Sequence, residues 1–411
     1  MKVIYLHQYF NTSNMSGGTR SYEMAKRLVA AGHEVSMVTS WRQQTDKKNW
    51  FMTEEAGIKV YWLPVPYSNR MNYIERIKAF LKFAWSSARK AASLEGDVVF
   101  ATSTPLTIAI PAIYTSWKKK IPMVFEVRDM WPAVPIALGI IRNPLLIRLA
   151  YWLEQKAYNH SSHIIALAPG MREDIIASGV APTKISVIPN GCDLDVFSSV
   201  STAYSPRDIY PWLGSRKLVL CAGTVGKVHK LDYLVHLAEQ VYLSDPEIRF
   251  VVIGDGGEWE KIQSIAIQAG IFEKNFFMFS ALPKYDLVTW LHTATIIVSL
   301  ITGLKLLYKD AVQNKFFDAL AVGKPIACNF DGFQSQVAVE SDIGLILDPI
   351  NIGVAADQLI SALNNKDWLD AVPNRAKILA EGRFNRDHLA AELERILVDV
   401  VAKTSEKSTE N

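Results

Sequence analysis

Three polar side chains stand out in residues 314–325, NKFFDALAVGKP. Asn314, Lys315 and Asp318 fall at spacings of three and four in a segment otherwise rich in Phe, Ala, Leu and Val. Gly323 and Pro325 would end a helix there, and on that helix an amide, an ammonium and a carboxylate share one side. A helix that only fills a core has no use for them.

Other groups capable of chemistry sit where apolar runs stop. In CAGTVGKVHKLDYL, Gly223, Thr224 and Gly226 follow an apolar run, and Lys227 and Lys230 open the next helical pattern. A Gly turn lets a ligand approach the backbone, a helix start favours anions, and two ammonium groups add point charges, so the segment suits a diphosphate. It equally fits an ordinary strand-to-helix turn with solvated lysines. VVIGDGGEWEKI repeats the plan at Gly254, Gly256 and Gly257. Its likeness to a dinucleotide fingerprint is undercut because no acidic ribose ligand follows about 20 residues later, so a turn near a nucleobase pocket is the better reading.

Earlier in the chain, NMSGGTRSYEMAKRL supplies Gly17, Gly18, Thr19 and Arg20 at a helix start. It reads either as a flexible loop with a surface Arg or as a lid touching substrate through its amides. FEVRDMWP ends an apolar run with Glu126, Arg128 and Asp129, and charges at the carboxyl end of a strand read as site residues. His7 ends the first apolar run and points toward the same region, whereas His33 reads as structural. Metal binding fits poorly. The eight histidines make no ligand-spaced pair, the three cysteines are far apart, and the Asp193-x-Asp195 pair follows a turn where a structural role is expected.

These residues need a scaffold. β-Branched runs alternate with helical patterns through KVIYLHQYF, HEVSMVTS, DVVFAT, PMVFEVRD, HIIALA and KISVIPN, and again through KLVLCAG, RFVVIG, FFMFSAL, TIIVSLI, PIACNF and GLILDP. Such alternation implies an α/β fold of two doubly wound, Rossmann-like domains whose strand ends face a common cleft. The expected domains are residues 1–198 and 217–385. Residues 199–216, rich in Ser and Pro, read as the linker. A helix over 386–402 can pack back on the first domain, and 403–411 read as a disordered tail. RMNYIERIKAFLKFAWSSARKAA, near 70–92, places Ile74, Ile77, Leu81 and Ala88 on one face with many cations elsewhere. It suits either an anionic membrane surface or packing on the sheet.

The 411 residues exceed one ordinary core, and 49% apolar against 21% charged residues mark a globular chain. A net charge of +3 gives no global reason to expect nucleic acid. Three dispersed cysteines, no leader pattern and no bilayer-length apolar run point to the cytoplasm, with a peripheral position on the inner face of the cytoplasmic membrane.

In their order along the chain these segments resemble retaining glycosyltransferases of family four, which have the GT-B fold, and among them bacterial enzymes of the fucosaminyltransferase type that build O-antigen or capsule. The resemblance implies a UDP-sugar donor, carrying an N-acetylated amino or deoxyamino sugar, and a lipid-linked saccharide acceptor, with no cofactor or metal. Lys227 matches the basic residue after the Gly turn, and Lys315, with Lys230, would meet the developing phosphate charge. Asp318 matches the second acid of a Glu-x7-Glu motif that holds ribose hydroxyls, and Asp310 stands at its first position, although both are Asp and the usual glycines are missing. Arg128 replaces a common His; a permanent cation binds phosphate or fixes an acid rather than acting as a base. Two rivals fit the sequence: a UDP-sugar epimerase of the same fold, and a non-catalytic scaffold at the membrane.

Overall fold

The computed structural model of the protein describes residues 1–15, 17–67, 71, 73–198 and 205–409. The chain forms two compact units. The first comprises residues 1–12, 19–189 and 387–411, and the second residues 13–18 and 190–386.

In the first unit eight strands form one sheet: β1 Lys2–Leu6, β2 Glu34–Trp41, β3 Phe51–Glu55, β4 Ile58–Pro64, β5 Val98–Thr102, β6 Met123–Val127, β7 His163–Ala166 and β8 Ile185–Val187. Their order is β3-β4-β2-β1-β5-β6-β7-β8, parallel except for the β3–β4 pair. That hairpin turns through Ala56 and Gly57, both at positive φ. The inner strands β5 and β6 are buried at every residue, as a sheet covered by helices on both faces requires. The helix Arg386–Thr409 buries Leu389, Leu393, Ile396, Leu397 and Val400, and Asp387 and Glu394 pair with Arg27 and His33 of the same unit. It runs well past residue 402, so 403–409, expected as a disordered tail, continue the helix.

The second unit holds β9 Leu218–Ala222, β10 Arg249–Ile253, β11 Phe276–Phe279, β12 Ile296–Ser299, β13 Ile326–Cys328 and β14 Gly344–Ile346, all parallel, in the order β11-β10-β9-β12-β13-β14. Side chains of β9 alternate between two cores: Leu218 and Leu220 join one apolar cluster, Val219 and Cys221 the other.

Two boundaries differ from the sequence expectation. The units divide at 189/190 rather than after 198. Residues 199–204 of the expected linker lie outside the described residues, but its remainder is built into the second unit. There Pro206–Ile209 is a short helix capped by Ser205, and Trp212 stacks on Phe277 with ring centroids 3.6 Å apart. The aromatic content of YPWL, not its Pro and Ser, decided the outcome.

Candidate active site

In each sheet the strand order reverses beside one strand, β1 in the first and β9 in the second, and ligands of open α/β sheets bind at the carboxyl ends there. In the second unit this place is occupied by two interlocked turns. Gly223, at φ +133°, follows β9, and its N–H donates to Ile253 O at 2.8 Å. Gly254 follows β10 so closely that a Cβ there would lie 1.8 Å from Gly223 O; one on Gly256 would lie 2.1 Å from Val225 O. Gly254, expected at the donor, is buried and packs directly on the neighbouring turn. Gly223, Thr224 and Lys227 are exposed on the rim, with Gly226 half-buried.

Lys315 completes this corner. The helix Asn314–Ala321 buries Phe316, Phe317, Ala319 and Leu320, and closes through Lys324 N–H to Ala319 O at 2.9 Å, with Gly323 at φ +67°. Gln313 holds the N-cap position. Its side chain accepts from Ser299 Oγ at 2.7 Å and donates to Leu300 O at 3.3 Å, pinning the helix start to the end of β12. Lys315, one residue into the helix, is only 7% exposed and lies against the Gly223 turn; a Cβ at Gly223 would meet its Cε at 3.1 Å. Among the described residues its ammonium has one hydrogen-bond partner, Cys221 Sγ at 3.7 Å, and no carboxylate within ion-pair distance. A buried cation set against a Gly turn, with Lys227 exposed four residues after Gly223, has the charge that an anion would balance.

His229, which carries no signal in the sequence, belongs here too. Burial, then the Lys315 charge, pushes its pKa down to about 3, and its Nδ1 is buried without a hydrogen-bond partner among the described residues. A single His amid Gly and Lys carries no spacing signal, and only the fold brings it to Lys315. Lys230, expected as a second phosphate contact, is left-handed at φ 42°, and its ammonium lies over the Tyr233 ring at 5.8 Å.

Asp318 was expected to turn to the same side as Lys315. Its electrostatic neighbours are instead Lys284, Asp193 and Arg386, and burial, partly offset by Lys284, pushes its carboxyl up to about 6. Asp193 accepts from Arg386 Nε at 2.8 Å and Lys284 Nζ at 2.5 Å. Burial opposes its ionisation, but Arg386 and Lys284 prevail and hold it well below the carboxylate range, the structural role expected of it. Asn314 is exposed, and Asp310 is buried at the C-terminal end of the helix Lys305–Lys309. A cavity of about 530 Å³, lined by Arg207, His292 and Lys324 among others, opens at the amino ends of β12 and β13, away from these groups.

In the first unit the carboxyl ends of β1 and β6 bring His7 and Arg128 together, with Arg128 Nη1 3.4 Å from His7 Nε2. Burial, then the Arg128 and Arg42 charges, lowers the His7 pKa well below its usual value, so the imidazole is neutral. His7 Nδ1 and both amide atoms of the adjacent Gln8 are buried without a hydrogen-bond partner among the described residues. Such groups are costly unless a ligand or water meets them. Gln8 was not singled out in the sequence, since an amide after a strand is common. Asp129 is exposed and accepts from Thr104 Oγ1 at 2.8 Å.

Arg20 departs most from expectation. It is a buried residue, not a lid or surface cation. Its guanidinium donates to Glu126 Oε1 through Nε at 3.0 Å and Nη2 at 2.8 Å, and to Pro189 O and Ile188 O at 2.5 and 2.9 Å. Burial would push the Glu126 carboxyl up, but the Arg20 charge outweighs it and keeps Glu126 ionised. Gly17 and Gly18, expected on the acceptor side, are grouped with the second unit.

With this geometry in place, the comparisons with known proteins are consistent from end to end. Residues 17–191 match the family described as glycosyl transferase 4-like domain, and residues 207–383 match glycosyl transferases group 1. A protein of Escherichia coli K12 described as a colanic acid biosynthesis glycosyl transferase, WcaI, is 21% identical over 301 residues, covering 70% of this chain and 73% of its own. Among solved structures, Anabaena Alr3699/HepE in complex with UDP aligns with a TM-score of 0.69 at 14% identity, covering 97% of this chain and all of its own. WaaG, a glycosyltransferase involved in lipopolysaccharide biosynthesis, aligns with a TM-score of 0.69 at 16% identity, covering 97% and 99%. The protein is an enzyme of the glycosyltransferase class with the GT-B fold. More particularly, it joins a glycosyl transferase 4-like domain to a group 1 domain.

Proposed function

We propose that the protein transfers a sugar from a UDP-sugar to a hydroxyl of a lipid-linked saccharide in cell-surface polysaccharide synthesis, with retention of anomeric configuration. The observation that carries the donor reading is Lys315, a buried ammonium without an anionic partner among the described residues, set against the Gly223 turn. The names of the relatives support the rest: one solved neighbour is a complex with UDP, and others belong to colanic acid and lipopolysaccharide synthesis. An N-acetylated amino or deoxyamino sugar is the proposed cargo, as in the fucosaminyltransferase-type enzymes that the sequence resembles.

When the bond to the diphosphate breaks, negative charge grows on the leaving oxygen. Lys315 and the exposed Lys227, with the N–H groups around Gly223, would meet it, and the reaction needs no metal in this scheme. Each such donor typically lowers a barrier by about 2–4 kcal/mol. In front-side displacement the donor phosphate takes the proton of the attacking hydroxyl. Neutral His7, Gln8 and Arg128 would orient the acceptor, and enzyme and product both stay at the inner face of the membrane.

Melting curves with uridine, adenosine and guanosine diphosphates test the donor assignment, and UDP alone should protect in proportion to the logarithm of its concentration. Equal protection by all three, or none, overturns it. Incubation with UDP-sugars and no acceptor tests the epimerase reading, which requires isomerised sugar to accumulate.

A further inference from the structure

One exposed face of the first unit is left without a role by the donor and acceptor assignments. The helix Pro144–His160, sequence PLLIRLAYWLEQKAYNH, begins with Asn143 capping two N–H groups and buries only Glu154, Ala157 and Tyr158. Its opposite side carries Leu145, Arg148, Leu149, Trp152 and Lys156 at spacings of three and four. Leu145 is 78% exposed, Leu149 56% and Trp152 55%. Exposing three large apolar groups in one stripe is costly in water and marks a surface made to be covered. His160 Nε2, 3.1 Å from Ser116 Oγ, fixes the helix beside Ala109–Lys119, which adds Trp117, 69% exposed, and ends in Lys118 and Lys119 with Lys120 as its C-cap.

We propose that this face docks on an anionic lipid bilayer, with Leu145, Leu149 and Trp152 entering the acyl boundary and the cations meeting headgroup phosphates. The charge pattern selects this occupant. From residue 133 to 160 the chain has Arg142, Arg148 and Lys156 but a single carboxylate, Glu154, and that one is buried against Tyr158, whose hydroxyl donates to it at 3.1 Å. Lys156 stands over the Trp152 ring at 5.9 Å, so the cation and the interfacial aromatic share one level. A second copy of the chain is the poorer fit, because an isologous contact would set these cations against their own kind.

The helix Tyr73–Ala92, whose sequence suggested a membrane face, divides differently from the expected pattern. Ala79, Phe83, Ala84, Ser87 and Ala88 are buried, while Leu81 and Trp85 are exposed among Lys78, Lys82 and Arg89. Leu81 and Ala88, seven residues apart on one stripe, differ in burial, Leu81 exposed and Ala88 covered, and the side chain of Ile74 lies outside the described residues. This exposed side has the same basic and apolar character, but the helix also carries the exposed Glu75, so Pro144–His160 is the principal contact.

The proposal deepens the reading of a lipid-linked acceptor and rests on it for its purpose, but the two fail separately. The full chain is sedimented with vesicles of phosphatidylethanolamine and phosphatidylglycerol, and with neutral phosphatidylcholine vesicles, in the absence of substrate. Binding is expected on the anionic vesicles and should weaken with salt. Leu149→Glu with Trp152→Glu should lower the bound fraction by about tenfold or more, with melting temperature and UDP protection unchanged because both residues are exposed. Binding that is equal on neutral vesicles, or unaltered in the variant, overturns the proposal. So does a dimer in solution that the same variant dissociates. Loss of UDP protection in the wild type would instead count against the donor reading and leave the vesicle result standing.

Discussion

Replacing Lys315 by Met separates a ligand site from ordinary packing, because the two predict opposite signs. The side chain is almost fully buried, and among the described residues its ammonium meets only a thiol, at 3.7 Å, with no carboxylate to balance it. A hydrogen bond from a charged donor to phosphate is worth about 1.5–3 kcal/mol, so removing it should weaken UDP binding by about 10- to 150-fold at about 1.4 kcal/mol per tenfold. Methionine has similar length and no charge, and losing an unpaired buried ammonium should stabilise the ligand-free protein by about 1–2 kcal/mol. For a domain of this size that is a rise in melting temperature of about 2–4 °C per kcal/mol. Calorimetric titration with UDP and melting curves without ligand read both numbers on one preparation. A variant that melts lower than the wild type yet binds UDP normally would refute the reasoning, since Lys315 would then be a packing residue.

Further outcomes follow from the same geometry. Glu126→Gln strips the buried Arg20 of its charge partner and should cost about 3–5 kcal/mol in denaturant unfolding, while residual folded protein keeps its UDP affinity. Gly254→Ala forces a methyl onto Gly223 O and should lower both stability, by about 1–3 kcal/mol, and UDP binding. Arg128→Ala should reduce transfer to acceptor without altering UDP protection, measured by sugar transfer and melting curves. Burial raises the Glu154 carboxyl from 4.5 to about 7, against the pull of the Tyr158 hydroxyl. Such a group leaves the fold most favoured below the unfolded value, and stability drains as pH rises from about 4.5 to about 7. Glu154→Gln should therefore gain about 1–2 kcal/mol over wild type at pH 8 and nothing at pH 4, in urea titrations at both.

Much of the scaffold was legible because buried parallel strands announce themselves as β-branched runs closed by glycine. The hairpin of β3 and β4 is not legible, since FMTEE is half-exposed and its Ala56–Gly57 turn lacks the Asn-Gly signature. Lys315 was visible as an ammonium on an apolar helix. Asp318, three residues on, was assigned the same direction by helical spacing alone, whereas packing gave it to Lys284. Arg20 misled for a related reason. After two glycines it looks solvent-bound, and nothing local reveals that Glu126, 106 residues later, waits in the core. His229 and Gln8 matter through long-range neighbours, which a linear pattern does not contain.

The route of the chain has a consequence for its synthesis. Most of the second unit, residues 190–386, is inserted between residues 189 and 387 of the first, whose buried set includes Leu389, Leu393, Ile396, Leu397 and Val400. During translation the first unit emerges early but lacks part of its interior until the last helix leaves the ribosome, whereas the second can fold beforehand. The exposed apolar seam left in that interval is where a chaperone would bind, and stop codons after residue 386 should yield insoluble protein rather than a truncated enzyme.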